Sequence, residues 1–366
     1  MAESVRSSLS WFRGNTKYAF LSLWRHLKEY DSSVELFYVG NDNETRLLRS
    51  AGLPALSCES GWQETALVML NAQIALYGSN DFVDADRWFW QSCLDGAIRI
   101  QMWHGILVKD ACAMFLPRTR NFSYFTGLLY DCYMIHFSIA ENIVFQDVYQ
   151  SNFPNSQVLP FGSVRNDILV RKDVVSSLWR LGLDRGVFNA IEEAKVSGKK
   201  IVLCCPTFRQ EYDTSDSYIK SWAPAILSLS AQPDIRIAFK MHPIVKHFSH
   251  LKRMMHISKT AGAYCIPASQ DIHPYYNLAD CLITDYSWVW ADFILCERPI
   301  IFYRPDLHTY TQTRDVISYP FFDITDVGPM CTNTHDIIKH TLSQLEQPSI
   351  LTPHWTGPAI SSRFGQ

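Results

Sequence analysis

Short runs of apolar and β-branched residues alternate along this chain with longer segments in which apolar residues recur at helical spacing. A short apolar run predicts a buried strand, and the helical spacing predicts the helix that leads to the next strand. The runs form two series. They lie at 34–39, 74–77, 98–102 and 132–137, and then at 201–204, 235–239, 263–266, 281–284 and 300–303. The pattern predicts an α/β protein with two parallel sheets.

A polar segment separates the two series. Residues 170–199 are rich in Arg, Lys, Asp and Glu, which is typical of a connection between domains. A chain of 366 residues is also long for one core and comfortable for two. We therefore expect an N-terminal domain over 1–170 and a C-terminal domain over 171–366.

The composition limits the partners and the cellular location. Hydrophobic residues make up 47% of the chain and the formal net charge is −3. A nucleic-acid-binding protein needs a surplus of Lys and Arg, so we expect no nucleic acid partner and only a local phosphate site. The ten cysteines include no C-x-x-C pair and many lie in apolar runs, which predicts reduced, buried thiols.

No secretory signal or membrane-spanning segment is recognisable. The longest apolar stretches, at 66–77 and 125–140, are too short or too interrupted to cross a bilayer. We therefore expect a cytoplasmic protein. Its eleven Trp residues leave room for peripheral attachment to the cytoplasmic face of the membrane.

The first candidate for chemistry is a histidine that follows a predicted strand. Residues 102–105 read Met-Trp-His-Gly and come after the strand at 98–102. Open α/β sheets bind ligands at the carboxyl ends of their strands, and a histidine there suits a general base. For a lone histidine, a buried structural role is the more common alternative.

Two further strings follow strands of the second series. Lys240 and His242 lie in Lys-Met-His-Pro and could together hold a phosphate. Residues 284–287 read Thr-Asp-Tyr-Ser and precede an apolar segment, which predicts a helix capped by Asp285 or Ser287. The free N–H groups of such a helix start could bind a pyrophosphate, although an ordinary N-cap is the default interpretation.

Weaker candidates complete the set. Thr207 and Arg209 follow the strand at 201–204, and the hydroxyl and the planar guanidinium group suit phosphate binding. Arg165 and Asp167 lie in a polar turn. The sequence has no Gly-x-Gly-x-x-Gly, Gly-Lys-Ser/Thr, His-Glu-x-x-His or Gly-x-Ser-x-Gly motif, which argues against a dehydrogenase, a P-loop kinase, a zincin and an α/β-hydrolase. No metal site is predicted, because the histidines at 242–250 have no carboxylate or thiol partner.

Taken in order, these strings resemble the CDP-glycerol glycerophosphotransferase family, whose enzymes prime and polymerise teichoic acids and related capsules. The resemblance extends from about residue 14 to residue 330. Its parts are 14–18, 101–105 with Lys109, 162–167, 206–209, 240–243, 279–287 and 298–306. The resemblance implies a GT-B-like fold, with two Rossmann-like lobes facing across a cleft, in which the C-terminal lobe binds the CDP donor.

The family pattern also implies roles for individual residues. His104 would be the base that takes a proton from the acceptor hydroxyl, and the second catalytic histidine would be His242. The residues expected to bind the donor are Thr207, Arg209, Lys240, His242, Asp285 and Ser287, and those expected elsewhere in the cleft are Arg165, Asp167 and Lys109. No cofactor is implied, and Mg²⁺ remains an option.

The implied partners are CDP-glycerol, or another CDP-alditol, and a polysaccharide or lipid-linked acceptor, with peripheral contact to the inner leaflet. This chain departs from the family at Ile106 and Leu107, where a Thr-Pro pair is usual, and at Trp288, where a second Ser is usual. The alternatives are a CDP-ribitol donor, a nucleotide sugar in a GT-B glycosyl transfer, and a non-catalytic scaffold. The retained His104, His242 and Asp285 disfavour the scaffold.

Overall fold

The structure is a computed structural model, and the part of the chain that it describes forms two compact units. The described residues are 6–11, 17–31, 33–78, 87–105, 107, 112–116, 122–170, 177–207, 215–241, 249–308, 310 and 327–348. Unit 1 comprises Met1–Leu181 and Ala359–Gln366, and unit 2 comprises Gly182–Pro358. Each unit has its own parallel sheet.

Within the described residues, the sheet of unit 1 has seven parallel strands in the order β3-β2-β1-β4-β5-β6-β7. The strands are β1 (Arg6–Trp11), β2 (Val34–Gly40), β3 (Ala55–Ser57), β4 (Ile74–Tyr77), β5 (Ile98–Gln101), β6 (Phe137–Ile139) and β7 (Gln157–Leu159). The helices are α1 (Lys17–Tyr30), α2 (Asp42–Ser50), α3 (Trp62–Leu70), α4 (Arg87–Cys93), α5 (Cys112–Phe115), α6 (Phe122–Tyr133), α7 (Gln146–Asn152) and α8 (Asp167–Val170).

In unit 2, the described residues form a sheet of six parallel strands in the order β10-β9-β8-β11-β12-β13. The strands are β8 (Lys200–Cys205), β9 (Ile235–Lys240), β10 (Tyr264–Ile266), β11 (Cys281–Thr284), β12 (Ile300–Tyr303) and β13 (Met330–Cys331). The helices are α9 (Arg185–Val196), α10 (Ser215–Ser230), α11 (Ser249–Thr260), α12 (His273–Tyr276), α13 (Val289–Phe293) and α14 (Thr334–Glu346).

The core of each unit lies between its sheet and the helices that cover it. In unit 2, Val202, Ile237 and Ile283 are fully buried on the central strands, and Trp222 of α10 packs into the same cluster. Strands of a parallel sheet that is covered on both faces have continuous apolar runs, which is why their positions are readable from the sequence. The predicted α/β class with parallel sheets is confirmed.

The two units divide between Leu181 and Gly182, beyond the residue 170 expected from the sequence. The reason is an aromatic contact within unit 1. The ring of Trp179 stacks on Tyr18 with 5.4 Å between centroids, and the Tyr18 hydroxyl donates to the Trp179 carbonyl at 2.6 Å. The segment around Trp179 therefore belongs to the core of unit 1, although its polar composition predicts a connection.

One predicted strand is wrong. Residues 132–137 were expected to form a strand, but α6 continues to Tyr133 and β6 begins only at Phe137. The whole stretch 125–140 is rich in apolar residues, and a short apolar run in a helix has the same pattern as a buried strand. The sequence also gave no signal for β1, β3, β7 or β13.

Candidate active site

The carboxyl ends of the strands of unit 2 bring several predicted residues together. In the strand order, β8 lies between β9 and β11, and the chain crosses from one side of β8 to the other after β10. The gap between the ends of β8 and β11 is therefore the topological switch point, where open α/β sheets bind their ligands. Thr207 follows β8 at this gap, and Asp285 and Ser287 follow β11.

Asp285 joins the two sides of the switch point. Its side chain is fully buried, and one carboxylate oxygen accepts the backbone N–H of Thr207 at 2.8 Å and that of Tyr286 at 2.6 Å. A second link is parallel to the first, because the Thr284 hydroxyl donates to the Cys205 carbonyl at 2.8 Å. These bonds fix the position of Thr207 relative to the turn at 285–287.

The predicted cap of the helix after β11 is wrong. The N-cap of α13 is Trp288, which makes no side-chain cap bond, and the helix has only five residues. Asp285 does not cap it because its carboxylate is already bound to the N–H groups of Thr207 and Tyr286. Ser287 is half-buried in the turn between β11 and α13.

Arg304, directly after β12, supports the same turn. Its Nε donates to the Asp285 carbonyl at 2.9 Å, and its guanidinium lies 5.2 Å from the centre of the Tyr286 ring. Tyr310 stacks on Tyr286 with 3.6 Å between centroids, and the Tyr286 hydroxyl donates to Asp306 at 3.1 Å. The turn after β11 is thus held by groups from β8 and from the segment after β12.

Lys240 ends β9 in a buried position, with 7% of its surface exposed. Its Nζ donates to the Ala268 carbonyl at 3.1 Å, and burial lowers the pKa of its ammonium group below the ordinary value, although Cys205 and Asp271 oppose the shift. Asp271 also binds His273, with 2.7 Å between Oδ1 and Nδ1. On the other side of that ring, Asp292 Oδ2 lies 3.8 Å from Nε2. A buried cluster of charged and polar groups therefore underlies the end of β9.

Cys205 is at the end of β8, directly before Pro206 and Thr207, but it is unsuited to nucleophilic catalysis. Burial raises the pKa of its thiol to about 12, so the thiolate is scarce near neutral pH. All ten cysteines are free and seven of them are buried, as the apolar runs around many of them predict.

In unit 1, His104 is exposed in the loop that follows β5. The residue before it, Trp103, has a φ of 53°, in the left-handed region that bulky side chains rarely adopt. The Trp103 backbone N–H donates to the Gln101 side chain at 3.0 Å, and the rings of Trp103 and His104 lie 4.6 Å apart. The loop thus presents His104 at the surface from a constrained backbone.

Arg165 and Asp167 occupy different environments after β7. Arg165 has only 2% of its surface exposed, and its Nη2 lies 3.8 Å from Glu141 Oε1, which follows β6. Gly162, with a φ of 86°, makes the turn that leads into this segment. Asp167 is half-buried at the start of α8. Arg165 is thus placed to orient its neighbours from inside the unit.

Three predicted site residues, His242, Arg209 and Lys109, lie outside the described residues, as does Ile106. Among the described residues, no group of His, Cys, Asp and Glu side chains could hold a metal ion. Over the same part of the chain, we find no helix with the length and apolar character needed to cross a bilayer.

Comparison with known proteins identifies the family. The sequence model of the CDP-Glycerol:Poly(glycerophosphate) glycerophosphotransferase family matches residues 11–349. The chain belongs to this family. Its expected membership is thereby confirmed.

Similar members of the glycerophosphotransferase family include teichoic acid poly(glycerol phosphate) polymerases. That of Bacillus spizizenii is 26% identical over 69% of this chain and 63% of the relative, and that of Bacillus subtilis is 26% identical over 71% of this chain and 34% of the relative. The teichoic acid ribitol-phosphate polymerase TarK of Staphylococcus aureus is 24% identical over 59% of this chain and 40% of the relative. The chain therefore spans less than two thirds of these relatives.

Solved structures confirm the GT-B-like α/β fold expected of this chain. The wall teichoic acid polymerase TagF matches with a TM-score of 0.66 and 18% identity, over 98% of this chain and 84% of the other. A putative UDP-N-acetylglucosamine 2-epimerase from Listeria monocytogenes matches with a TM-score of 0.55 and 12% identity, over 100% of this chain and 91% of the other. At these identities the likeness concerns the fold alone.

The sequence did not single out Asp271, His273 or Arg304 as functional candidates, nor Glu141 and Tyr149. Arg304 was within a string that carried the family resemblance, so a signal existed for it. Glu141 follows β6 by two residues, and its place at a strand end was hidden because the strand was predicted too early.

Proposed function

We propose that this chain transfers glycerol phosphate from CDP-glycerol to a hydroxyl of a surface polymer or of its lipid-linked precursor, releasing CMP. The observation that carries the proposal is the family match, which extends over residues 11–349 and so includes the carboxyl edges of both sheets. The family description names CDP-glycerol, and the relatives named teichoic acid poly(glycerol phosphate) polymerases support transfer of glycerol phosphate to a polymer.

The proposed reaction is a displacement at phosphorus. The acceptor oxygen forms a bond to the phosphorus that bears glycerol, and the bond from that phosphorus to the bridging oxygen of the pyrophosphate breaks. CMP leaves with the electron pair, and His104 takes the proton of the acceptor hydroxyl. The exposed position of His104 after a sheet strand supports this role.

On the donor side, we propose that Thr207, Lys240, His242 and Ser287 contact the pyrophosphate. Their place at or after the ends of β8, β9 and β11 supports the assignment, because β8 and β11 border the switch point of unit 2 and β9 lies next to β8. Phosphoryl transfer depends mainly on positioning and on donors that stabilise the developing charge. Asp285 contributes by fixing the backbone of Thr207.

Arg209 is proposed to lie near the nucleotide, with Lys109, Arg165 and Asp167 nearer the acceptor. We propose that protein cations and N–H donors carry the charge of the leaving group, so that no metal is required and Mg²⁺ is at most an activator. Persistence of CMP release in the presence of a chelator checks this point.

We also propose peripheral contact with the inner leaflet of the membrane. This contact would bring the chain to a lipid-linked acceptor, and cosedimentation with acceptor vesicles tests it.

The decisive experiment measures CMP release by purified protein from CDP-glycerol and a membrane-bound or oligosaccharide acceptor. Because loss of a general base costs roughly a hundredfold or more, His104→Ala should nearly abolish release. CDP-glycerol binding in calorimetry should be largely retained. His26→Ala, which removes another exposed histidine of unit 1, is the matched control and should remain active. Undiminished release by His104→Ala would remove the base assignment.

A donor screen separates the alternatives. CDP-glycerol, CDP-ribitol and UDP-sugars are each tested for binding by calorimetry. The similarity to ribitol-phosphate polymerase TarK favours CDP-ribitol as the second candidate donor. If every CDP-alditol failed to bind and a UDP-sugar bound, a GT-B glycosyltransferase would replace the proposed function.

A further inference from the structure

Three neighbouring strands of unit 1 end beside a buried chain of polar groups. Gly105 lies in the loop after β5, Glu141 follows β6, and Arg165 follows β7. Tyr149 of α7 connects them, because its hydroxyl donates to Glu141 Oε2 at 2.8 Å and lies 3.5 Å from the Gly105 carbonyl oxygen. Tyr149, Glu141 and Arg165 are all buried.

The loop after β5, which these polar groups contact, is under backbone strain. A left-handed conformation costs a non-glycine residue roughly 1–2 kcal/mol, and Trp103 adopts it with a φ of 53°. Such strain persists only where surrounding contacts outweigh it, and it is frequent at functional sites. The contacts that hold the loop are therefore expected to determine where the side chain of His104 points.

Helix α7 and the residue after it provide two of these contacts. The ring of Phe153 meets the ring of Trp103 edge to face at 5.9 Å, and Trp103 in turn lies against the ring of His104. Tyr149 meets the carbonyl of Gly105 on the other side of His104 in the sequence. The loop is thus held on both sides of His104.

Tyr149 itself is fixed by its hydrogen bond to Glu141. A phenol has one hydrogen to donate, and the Glu141 carboxylate lies nearer to the Tyr149 hydroxyl than the Gly105 carbonyl does. The hydrogen therefore goes to the carboxylate at 2.8 Å, and a bond to a charged acceptor is stronger than one to a neutral group. Glu141 fixes the Tyr149 ring, which lies 6.5 Å from the ring of Phe153, the residue that contacts Trp103.

We propose that Tyr149, held by Glu141 and Arg165, is a positioning residue that sets the orientation of His104. The inference rests on the proposed function, in which His104 is the base. It assigns to Arg165 a role through Glu141 and Tyr149, without contact to a substrate. A positioning residue on the acceptor side affects turnover and leaves donor affinity unchanged.

The kinetic test compares two Tyr→Phe variants that each remove a hydroxyl bound to a carboxylate. Tyr149→Phe should lower kcat by roughly tenfold to a hundredfold, because small misplacements of a catalytic group have effects of this size, and KM for CDP-glycerol should stay close to that of the wild type. The control is Tyr130→Phe. The Tyr130 hydroxyl donates to Asp95 at 2.7 Å, and Asp95 lies before the amino end of β5. The kcat of Tyr130→Phe should not change.

A second readout does not depend on turnover. In protein with ¹³C-labelled histidine, the His104 ring resonance is identified by its absence from His104→Ala. It should shift or broaden in Tyr149→Phe and keep its wild-type position in Tyr130→Phe. Glu141→Gln keeps an acceptor for Tyr149 but loses the charge that faces Arg165, so it should shift the His104 resonance less. If Tyr149→Phe does not fold, Glu141→Gln replaces it in this test.

The outcomes are distinct. An unchanged His104 resonance and unchanged kcat in Tyr149→Phe would overturn the positioning role even if the wild type releases CMP. A wild type that releases no CMP would overturn the proposed function, while the resonance would still report whether Tyr149 orients His104.

Discussion

The carboxylate of Asp285 accepts hydrogen bonds from the backbone of two loops. Asp285→Ala would leave the buried N–H groups of Thr207 and Tyr286 without their acceptor. We expect a loss of roughly 3 kcal/mol in the free energy of unfolding, because a hydrogen bond to a charged group is worth about 1.5–3 kcal/mol and a buried donor left without an acceptor costs about 1–3 kcal/mol. Asp285→Asn keeps one oxygen for both N–H groups and should lose clearly less.

Chemical denaturation measures both changes. Asp234→Ala, which removes an exposed carboxylate of the same unit that pairs with Lys199, is the control and should cost well under about 1 kcal/mol. Equal losses for Asp285→Ala and Asp285→Asn would show that the charge of Asp285, and not its role as an acceptor, stabilises the fold.

Lys240 gives a prediction for pH dependence. Burial lowers the pKa of its ammonium group below the ordinary value of 10.5. Between the folded-state pKa and 10.5, the unfolded chain holds a proton that the folded chain has lost, so the free energy of unfolding should rise with pH in that window. Below the folded-state pKa both states are protonated, and the contribution of Lys240 no longer changes with pH.

Denaturation at a series of alkaline pH values checks this sign. Lys240→Met should lack the part of the rise that Lys240 contributes, so its stability relative to the wild type should fall as the pH increases through the window. Lys199→Met, which removes a partly exposed lysine of the same unit, is the control for losing one positive charge. A parallel pH dependence of Lys240→Met and the wild type would contradict the prediction.

At the scale of elements, the sequence predicted the buried strands with β-branched residues and missed the others. The strand β1 reads Arg-Ser-Ser-Leu-Ser-Trp, which has no β-branched residue, yet it pairs with β2 on one side and β4 on the other. Pairing on both sides outweighs local propensity there. The strands β3, β7 and β13 have only two or three residues, too few for a period to be recognised.

The candidate site was predicted only as far as local patterns allow. Strand ends placed His104, Thr207, Lys240 and Asp285 at carboxyl edges. The expected cap of α13 failed because the partner of Asp285 is the backbone of Thr207, 78 positions earlier in the chain, and no local pattern carries that contact. The contacts that link Arg165, Glu141 and Tyr149 likewise depend on the ends of three strands, β5, β6 and β7, lying side by side.

At the scale of the whole molecule, the order of the strings carried more information than any single string. A lone histidine after a strand is more often structural than catalytic. The succession of strings along the chain predicted the family that the match over residues 11–349 confirms. The sequence did not locate the division between the units, because Trp179 lies in a polar segment and its contact with Tyr18 is not encoded locally.

This division predicts the behaviour of fragments. A fragment of residues 1–181 keeps the stacking of Tyr18 on Trp179 and the hydrogen bond between them, and a fragment of residues 1–170 loses both. Since a buried aromatic side chain contributes roughly 1.5–3 kcal/mol, the longer fragment should have the higher midpoint of thermal unfolding. Trp179→Ala in the longer fragment should lower that midpoint toward the shorter one. Equal midpoints for the two fragments would contradict the contribution of Trp179.

The bond between Asp285 and Thr207 has a consequence for redesign. It engages the main chain of Thr207 and leaves the identity of that side chain out of the connection between the loops. Libraries that vary position 207 should therefore yield folded proteins with altered donor preference. Libraries that vary position 285 should yield less stable ones, so a search for new donors in this scaffold should begin at 207.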